Sequence, residues 1–283
     1  SADRPDGRLV AVGDFTEVNG VAVRQIARFQ ADGQLDTTFC RLARLTGGLP
    51  TRVLAQPDGT VLVGGAFAAV GGSSRPALAR LLPSGQPDAA FAPPLLAAVG
   101  TTSGSSVTVL ARQPDGAVLA GGSLRSASGT SLFQRFSATG QPDAGFQPGT
   151  LVPTSLLVQP DGNIVVGTMG PQPLRRLLPG GAADPAFTPP TLTVPSGVLR
   201  VVALDRYADG RLLLAGRFAQ VGGVATTNVA RLLPDGSVDA SFVSQVFQLD
   251  GTLTSVALQP NERVLVTGSP QFIPTATTNS LFR

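Results

Sequence analysis

The chain has 283 residues, 42% of them hydrophobic, which is enough to fill a substantial core and argues against disorder. Its formal charge is only +3, since 21 basic residues, all arginine, face 18 acidic ones, and just 5% of residues are aromatic. Arginines spread thinly with few rings argue against a nucleic-acid groove, and the absence of histidine removes the usual general base and zinc ligand.

Cys40 is the single cysteine, so there is no internal disulfide framework, and it reads as a small buried apolar residue. No apolar run reaches the ~18 residues of a membrane span. Glycine (34) and proline (24) are high without a collagen-like period, as many short strands joined by tight turns require.

The first predicted element sets the pattern for the rest. A Pro-Asp-Gly turn holding Asp6 precedes an apolar run, "RLVAVG", that ends at Gly13. A third strand then closes at Arg28, followed by a turn, Asp36 and Phe39. In the second copy "TRVLAQPDGTVLVGG" gives two apolar runs joined at Asp58, which is a β-hairpin. Proline presets the first turn position, aspartate bonds the backbone two residues on, and glycine accepts a positive φ. Gly65, Arg80, Asp88 and Phe91 follow in the same order.

The third copy carries Asp115, Gly122, Arg135, Asp143 and Phe146. The fourth is contracted: after Asp161 comes Gly167-Thr168, "GTMGPQPLRR" replaces the usual "GGxFxxVGG" loop, and Arg176, Asp184 and Phe187 close it. The fifth has Asp209 in "YADG", then Gly216, Arg231, Asp239 and Phe242. The sixth has Asn261 in "QPNE", Gly268 and the last residue, Arg283.

The period is about 51 residues, the signature of a supersecondary repeat. Three clear strands per copy, with a weaker fourth in "RLARL" after Phe39 or "VFQL" after Phe242, predict an all-β chain: a β-propeller of about six mostly antiparallel, three- to four-stranded blades. A β-solenoid is the alternative, although its coils are usually shorter and lack this hairpin grammar. The blades are expected at about 1–50, 51–100, 101–150, 151–197, 198–250 and 251–283, in one domain that begins mid-repeat like a portion of a longer polypeptide.

Between each arginine and aspartate the chain reverses, so the guanidinium meets the carboxylate and the phenylalanine packs between repeats. A metal or ligand site in every copy would need more converging oxygens than one or two aspartates offer. No cofactor or metal is expected.

The motifs "LVQPDGNIVVG", "LLAGRFAQVGG" and "ARLLPDGSVDASF" resemble the delta-60 repeat, a β-propeller domain of unknown function in bacterial proteins. The resemblance implies large exported or surface proteins, hence an extracellular or cell-surface location, and supplies no catalytic residues.

Length varies only in the loop between strands two and three and in the crossing to the next repeat. Those connections leave a propeller on one face, and loops on a rigid scaffold are where binding resides. Candidate binding residues are Arg41, Arg44 and Arg52 in the first crossing, for an anionic glycan or acidic partner, and Ser73, Ser74, Thr226 and Asn228, for sugar hydroxyls.

The expected role is therefore a non-catalytic binding or adhesion module for a surface protein or carbohydrate, or for flanking domains of the same chain. A structural spacer or assembly subunit is the alternative. A polysaccharide-cleaving enzyme comes third: it wants two positioned carboxylates, and outside the turns the chain offers Glu17, Glu262, Asp14, Asp205 and Asp250.

Overall fold

A computed structural model describes residues 7–97, 104–242, 252–269 and 280–282, so Asp6, Asp250, Arg283 and the "VFQL" segment lie outside the described residues. The chain divides into two compact units, Ser1–Phe146 and Gln147–Arg283.

In the first unit β1 (Leu9–Val12) pairs with β2 (Ile26–Phe29). The short helix α1 (Thr37–Leu42) and β3 (Leu45–Thr46) follow. Next come β4 (Pro50–Ala55), β5 (Val61–Gly65), β6 (Ala69–Val70), β7 (Ser73–Ser74) and β8 (Leu78–Leu81). They form two antiparallel sheets, a main one ordered β4-β5-β8 and a small one ordered β3-β6-β7. The strands β9 (Ser106–Arg112), β10 (Val118–Ser126) and β11 (Gly129–Phe136) make the third main sheet.

The second unit repeats this plan. Its first sheet is β12 (Ser155–Val158), β13 (Ile164–Gly167) and β14 (Leu174–Leu177). Then come β15 (Leu192–Thr193), β16 (Arg200–Arg206), β17 (Leu212–Arg217), β18 (Gln220–Val221), β19 (Val224–Ala225) and β20 (Val229–Leu232). Again they give a main sheet, β16-β17-β20, and a small one, β15-β18-β19. The last sheet is β21 (Thr252–Leu258), β22 (Val264–Ser269) and β23 (Ser280–Phe282).

Middle strands are buried on both faces, which is why "VLVGG" and "LLLAG" are continuously apolar instead of alternating. Val61 and Val63 of β5 pack with Val10 and Ile26 of the preceding sheet, while Leu62 packs with Val107 and Val118 of the following one. In β17 Leu212 and Leu214 join Val165 and Val201, and Leu213 and Ala215 join Val256 and Val266. Consecutive sheets within each unit are thus stacked face to face, as blades.

The repeat turns have one construction. Thr60, Ala117, Asn163, Arg211 and Arg263 donate their backbone N–H to the side-chain oxygen of Asp58, Asp115, Asp161, Asp209 and Asn261, two residues earlier. The glycine that follows three of these aspartates in Pro-Asp-Gly has φ of 83° at Gly59, 90° at Gly116 and 85° at Gly162, and Gly210 has 94°. Seven residues after the turn aspartate, a Cβ at Gly65 would lie 2.6 Å from Pro50 Cα and strike the Leu49 carbonyl, so only glycine lets the inner strand come this close.

The fourth strand differs from expectation. Arg41 and Leu42 of "RLARL" lie in α1, with Asp36 as its N-cap, accepting from the Phe39 N–H. What remains of a fourth strand precedes the phenylalanine as a single bridge: Phe29 with Leu35, Leu81 with Pro87, Phe136 with Pro142, Leu177 with Ala183, Leu232 with Val238. Five residues separate the turn glycine from the phenylalanine, as from Gly33 to Phe39 and from Gly85 to Phe91, and one bridged pair forms before the ring enters the core.

Candidate functional site

In the first five repeats the third strand presents an arginine beside an aspartate and a ring. Arg28 Nη2 lies 2.6 Å from Asp36 Oδ2, and its guanidinium carbon sits 4.0 Å from the Phe39 ring centre. Arg80, Arg176 and Arg231 donate through Nε to Asp88, Asp184 and Asp239 at 2.7, 2.6 and 2.7 Å, and Arg135 donates to Asp143 at 2.7 Å. Their guanidinium groups lie over Phe91, Phe187, Phe242 and Phe146.

Phe39, Phe91 and Phe187 are buried in cores shared by consecutive sheets. The arginines reach further, since Arg28, Arg80 and Arg176 donate Nη1 to the carbonyls of Pro83, Ala138 and Pro234 in the following repeat. At this end Arg28, Arg80 and Arg176 thus tie consecutive repeats together.

The opposite end is built from the variable connections. Each small sheet joins a crossing segment to the hairpin of the next repeat: Leu45 pairs with Val70, which pairs with Ser73, and Leu192 pairs with Val221, which pairs with Val224. Val70 and Val221 of these hairpins are fully buried.

The expected binding residues separate on this frame. Arg41, Arg44 and Arg52 are exposed in α1, in the link between α1 and β3, and in β4. Arg44 accepts the Gly71 N–H at its carbonyl, and Arg52 donates Nη1 to the Thr51 carbonyl. Ser73 and Ser74 form β7 at the rim. Thr226 and Asn228 are a correction: they are 5% and 0% exposed, beyond reach of a surface sugar. Thr226 donates its hydroxyl to the Val229 carbonyl, and the Asn228 backbone bonds Phe218 and Gly216, because the chain re-enters the sheet there with φ of 64°.

Among the leftover carboxylates, Asp205 accepts the Leu258 N–H at 2.7 Å and so ties two sheets of the second unit together. Asp14 is exposed on the loop after Gly13. Among the described residues no group of three or more His, Cys, Asp or Glu is placed to hold a metal ion, and no helix is long and apolar enough to cross a membrane.

The contracted fourth repeat carries residues that sequence reasoning passed over. Its connection from β13 to β14 has no hairpin, and hollows of about 460 and 530 Å³ flank it, sharing Pro171, Gln172 and Arg175 as a common wall. The first extends to Phe187 and Pro189–Thr191, the second to Thr150–Val152 and Met169. Arg175 donates Nη2 to Gln172 Oε1 at 2.7 Å. The shortened loop was visible in the sequence and is the signal that could have pointed here.

These features define a β-propeller: antiparallel main sheets of two or three described strands, one per repeat, stacked on one another through buried strands. Residues 4–39, 56–91 and 208–242 match the family described as domain of unknown function (DUF5122) beta-propeller, consistent with the resemblance to the delta-60 repeat. No curated protein matches the chain.

Among solved structures it is similar to virginiamycin B lyase from Staphylococcus aureus, with a TM-score of 0.51, 9% identity, and coverage of 98% of this chain and 84% of that one. It is also similar to PorZ, a surface component of the type-IX secretion system of Porphyromonas gingivalis, with TM-score 0.48, 11% identity, and 93% and 38% coverage. A third is the extracellular domain of BT4673 from B. thetaiotaomicron, with TM-score 0.45, 12% identity and 85% of this chain covered, where the match spans about a third (34%) of that chain. At these identities the likeness concerns the fold.

Proposed function

We propose that this β-propeller is a non-catalytic binding module of an extracellular or cell-surface protein, engaging a protein or glycan through the end formed by its variable connections. One observation supports this most directly: the stereotyped end is committed to Arg-Asp-Phe contacts, whereas the other end varies repeat by repeat. A rigid scaffold carrying variable loops is the usual arrangement for recognition.

The experiment is a binding screen on glycan and peptide arrays, repeated with Ser74→Trp at the variable end and Asp58→Ala at the other. Binding lost with a variable-end substitution that leaves the melting temperature unchanged supports the proposal. Turnover of a polysaccharide abolished by Asp14→Asn or Asp250→Asn would replace it with an enzymatic reading.

A further inference from the structure

The geometry points to the contracted fourth repeat as a binding site for an extended acidic peptide, with Arg175 as its carboxylate-pairing group. This deepens the proposed function and rests on it. In the second and fifth repeats the strand-two-to-three loop folds into a hairpin whose valine, Val70 or Val221, is fully buried. The fourth repeat is shorter by several residues at this point, so the hairpin is missing and the two hollows stand on either side of Pro171–Arg175. Each has the size of a typical ligand pocket, about 300–1,000 Å³.

Charge selects the class of ligand. The variable connections of the second unit among the described residues, 147–155, 168–175, 188–200 and 217–228, contain Arg175, Arg200 and Arg217 and no aspartate or glutamate. The described carboxylates of this unit sit instead in the turns at the other end, pair with arginine as Asp184 and Asp239 do, or, at Asp205, accept the Leu258 N–H; Asp184 borders the first hollow with its charge met by Arg176. Arg175 is exposed, and among the described residues its side chain bonds only Gln172 Oε1. That contact fixes the guanidinium and leaves its remaining donors for a carboxylate, which a guanidinium grips bidentately.

Apolar groups select a peptide over a sugar. Val152 and Met169 are 51% and 55% exposed beside Arg175. Sugars are usually held by stacking on open aromatic faces, but the one aromatic ring lining either hollow, Phe187, is 6% exposed. Proline, valine and methionine flanking a guanidinium suit a segment in which aliphatic and acidic side chains alternate.

The test is fluorescence anisotropy with a fluorescein-labelled octapeptide of alternating valine and aspartate, against its valine–asparagine counterpart and labelled oligogalacturonate. The aspartate peptide is expected to bind at low salt and to weaken about tenfold on replacement by asparagine, as loss of a charge-assisted contact implies. Arg175→Gln should weaken it equally and Met169→Ser several-fold, both without change in melting temperature, and Arg263→Gln, at an exposed repeat turn of the other end, should have no effect.

If oligogalacturonate binds with Arg175 dependence and the peptide does not, the peptide assignment is wrong. Failure of both ligands, or an Arg175→Gln protein that binds the peptide as well as the parent does, overturns the site. The broader binding role would then still stand or fall on the array screen.

Discussion

Asp36 gathers three side-chain donors on one oxygen, Arg28 Nε and Nη2 and Gln30 Nε2, while its other oxygen accepts the Phe39 N–H at 3.0 Å. Its counterpart Asp143 takes Arg135 on one oxygen and the Gly145 N–H on the other, and its side chain is 34% exposed against 11% for Asp36.

That difference predicts unequal costs. Removing the charge at a nearly enclosed pair leaves a guanidinium unpaired in low dielectric, so Asp36→Asn should cost about 3 kcal/mol. Water screens the more open pair, and Asp143→Asn should cost about 1 kcal/mol. Thermal melts of the two variants check the order, and an equal or larger loss for Asp143→Asn would contradict it.

Below about pH 8, stability should depend on pH on the acid side only. At Asp36 burial opposes ionisation, but the Phe39 N–H and Arg28 outweigh it and hold the carboxyl below its ordinary range; at Asp143 the Arg135 hydrogen bond leads, followed by the Gly145 N–H. A depressed folded-state pKa contributes stability that is complete above the unfolded value, about 3.9, and is lost as pH falls through the folded one. With no histidine in the chain, the melting temperature is expected to be flat from about pH 5 to 8 and to drop below about pH 4. A midpoint that shifts between pH 6 and 7 would refute this.

Cys40 should be silent in the native protein. It is 6% exposed, its sulfur accepts the Arg28 N–H at 3.4 Å, and burial pushes its thiol up from the ordinary value, so thiolate is scarce. Reaction with a chromogenic disulfide reagent is expected only after unfolding in guanidinium. Rapid labelling without denaturant would show that α1 opens.

Glycine substitutions should divide by backbone approach. Gly65→Ala sets a methyl against the Leu49 carbonyl and Pro50 Cα, neither able to yield without breaking the β4–β5 ladder, and should cost about 3 kcal/mol. Gly180→Ala, at an exposed turn with no described atom within 4 Å of its Cβ, should stay within about 0.5 kcal/mol of the parent. Differential scanning calorimetry of both separates the cases.

How far the sequence could be read follows from the range of each interaction. The Asp58 turn needs only Thr60 two residues away, and Arg28 meets Asp36 across eight, so residue type and spacing carry the information locally. The small sheets were not legible because Leu45-Thr46 and Ala69-Val70 are two-residue strands, too short to show a period. Helix α1 likewise spans fewer than two turns. Thr226 and Asn228 look like ordinary polar loop residues, and their burial comes from the tertiary pairing of their backbone with Ala219 and Phe218. Arg175 gains its setting from a hairpin that is missing, which only comparison among the repeats reveals.

The arginine bonds from one repeat to the next bear on how such a chain can diversify. Arg28, Arg80 and Arg176 grip main-chain oxygens, and the acceptors are proline in two cases and alanine in the third. Because a carbonyl is supplied by every residue type, this coupling is blind to the neighbour's side chains. This coupling by itself therefore asks for no compensating mutation when a neighbouring repeat changes, whereas the apolar packing between sheets does, so the copies can drift most readily in the segments that meet solvent.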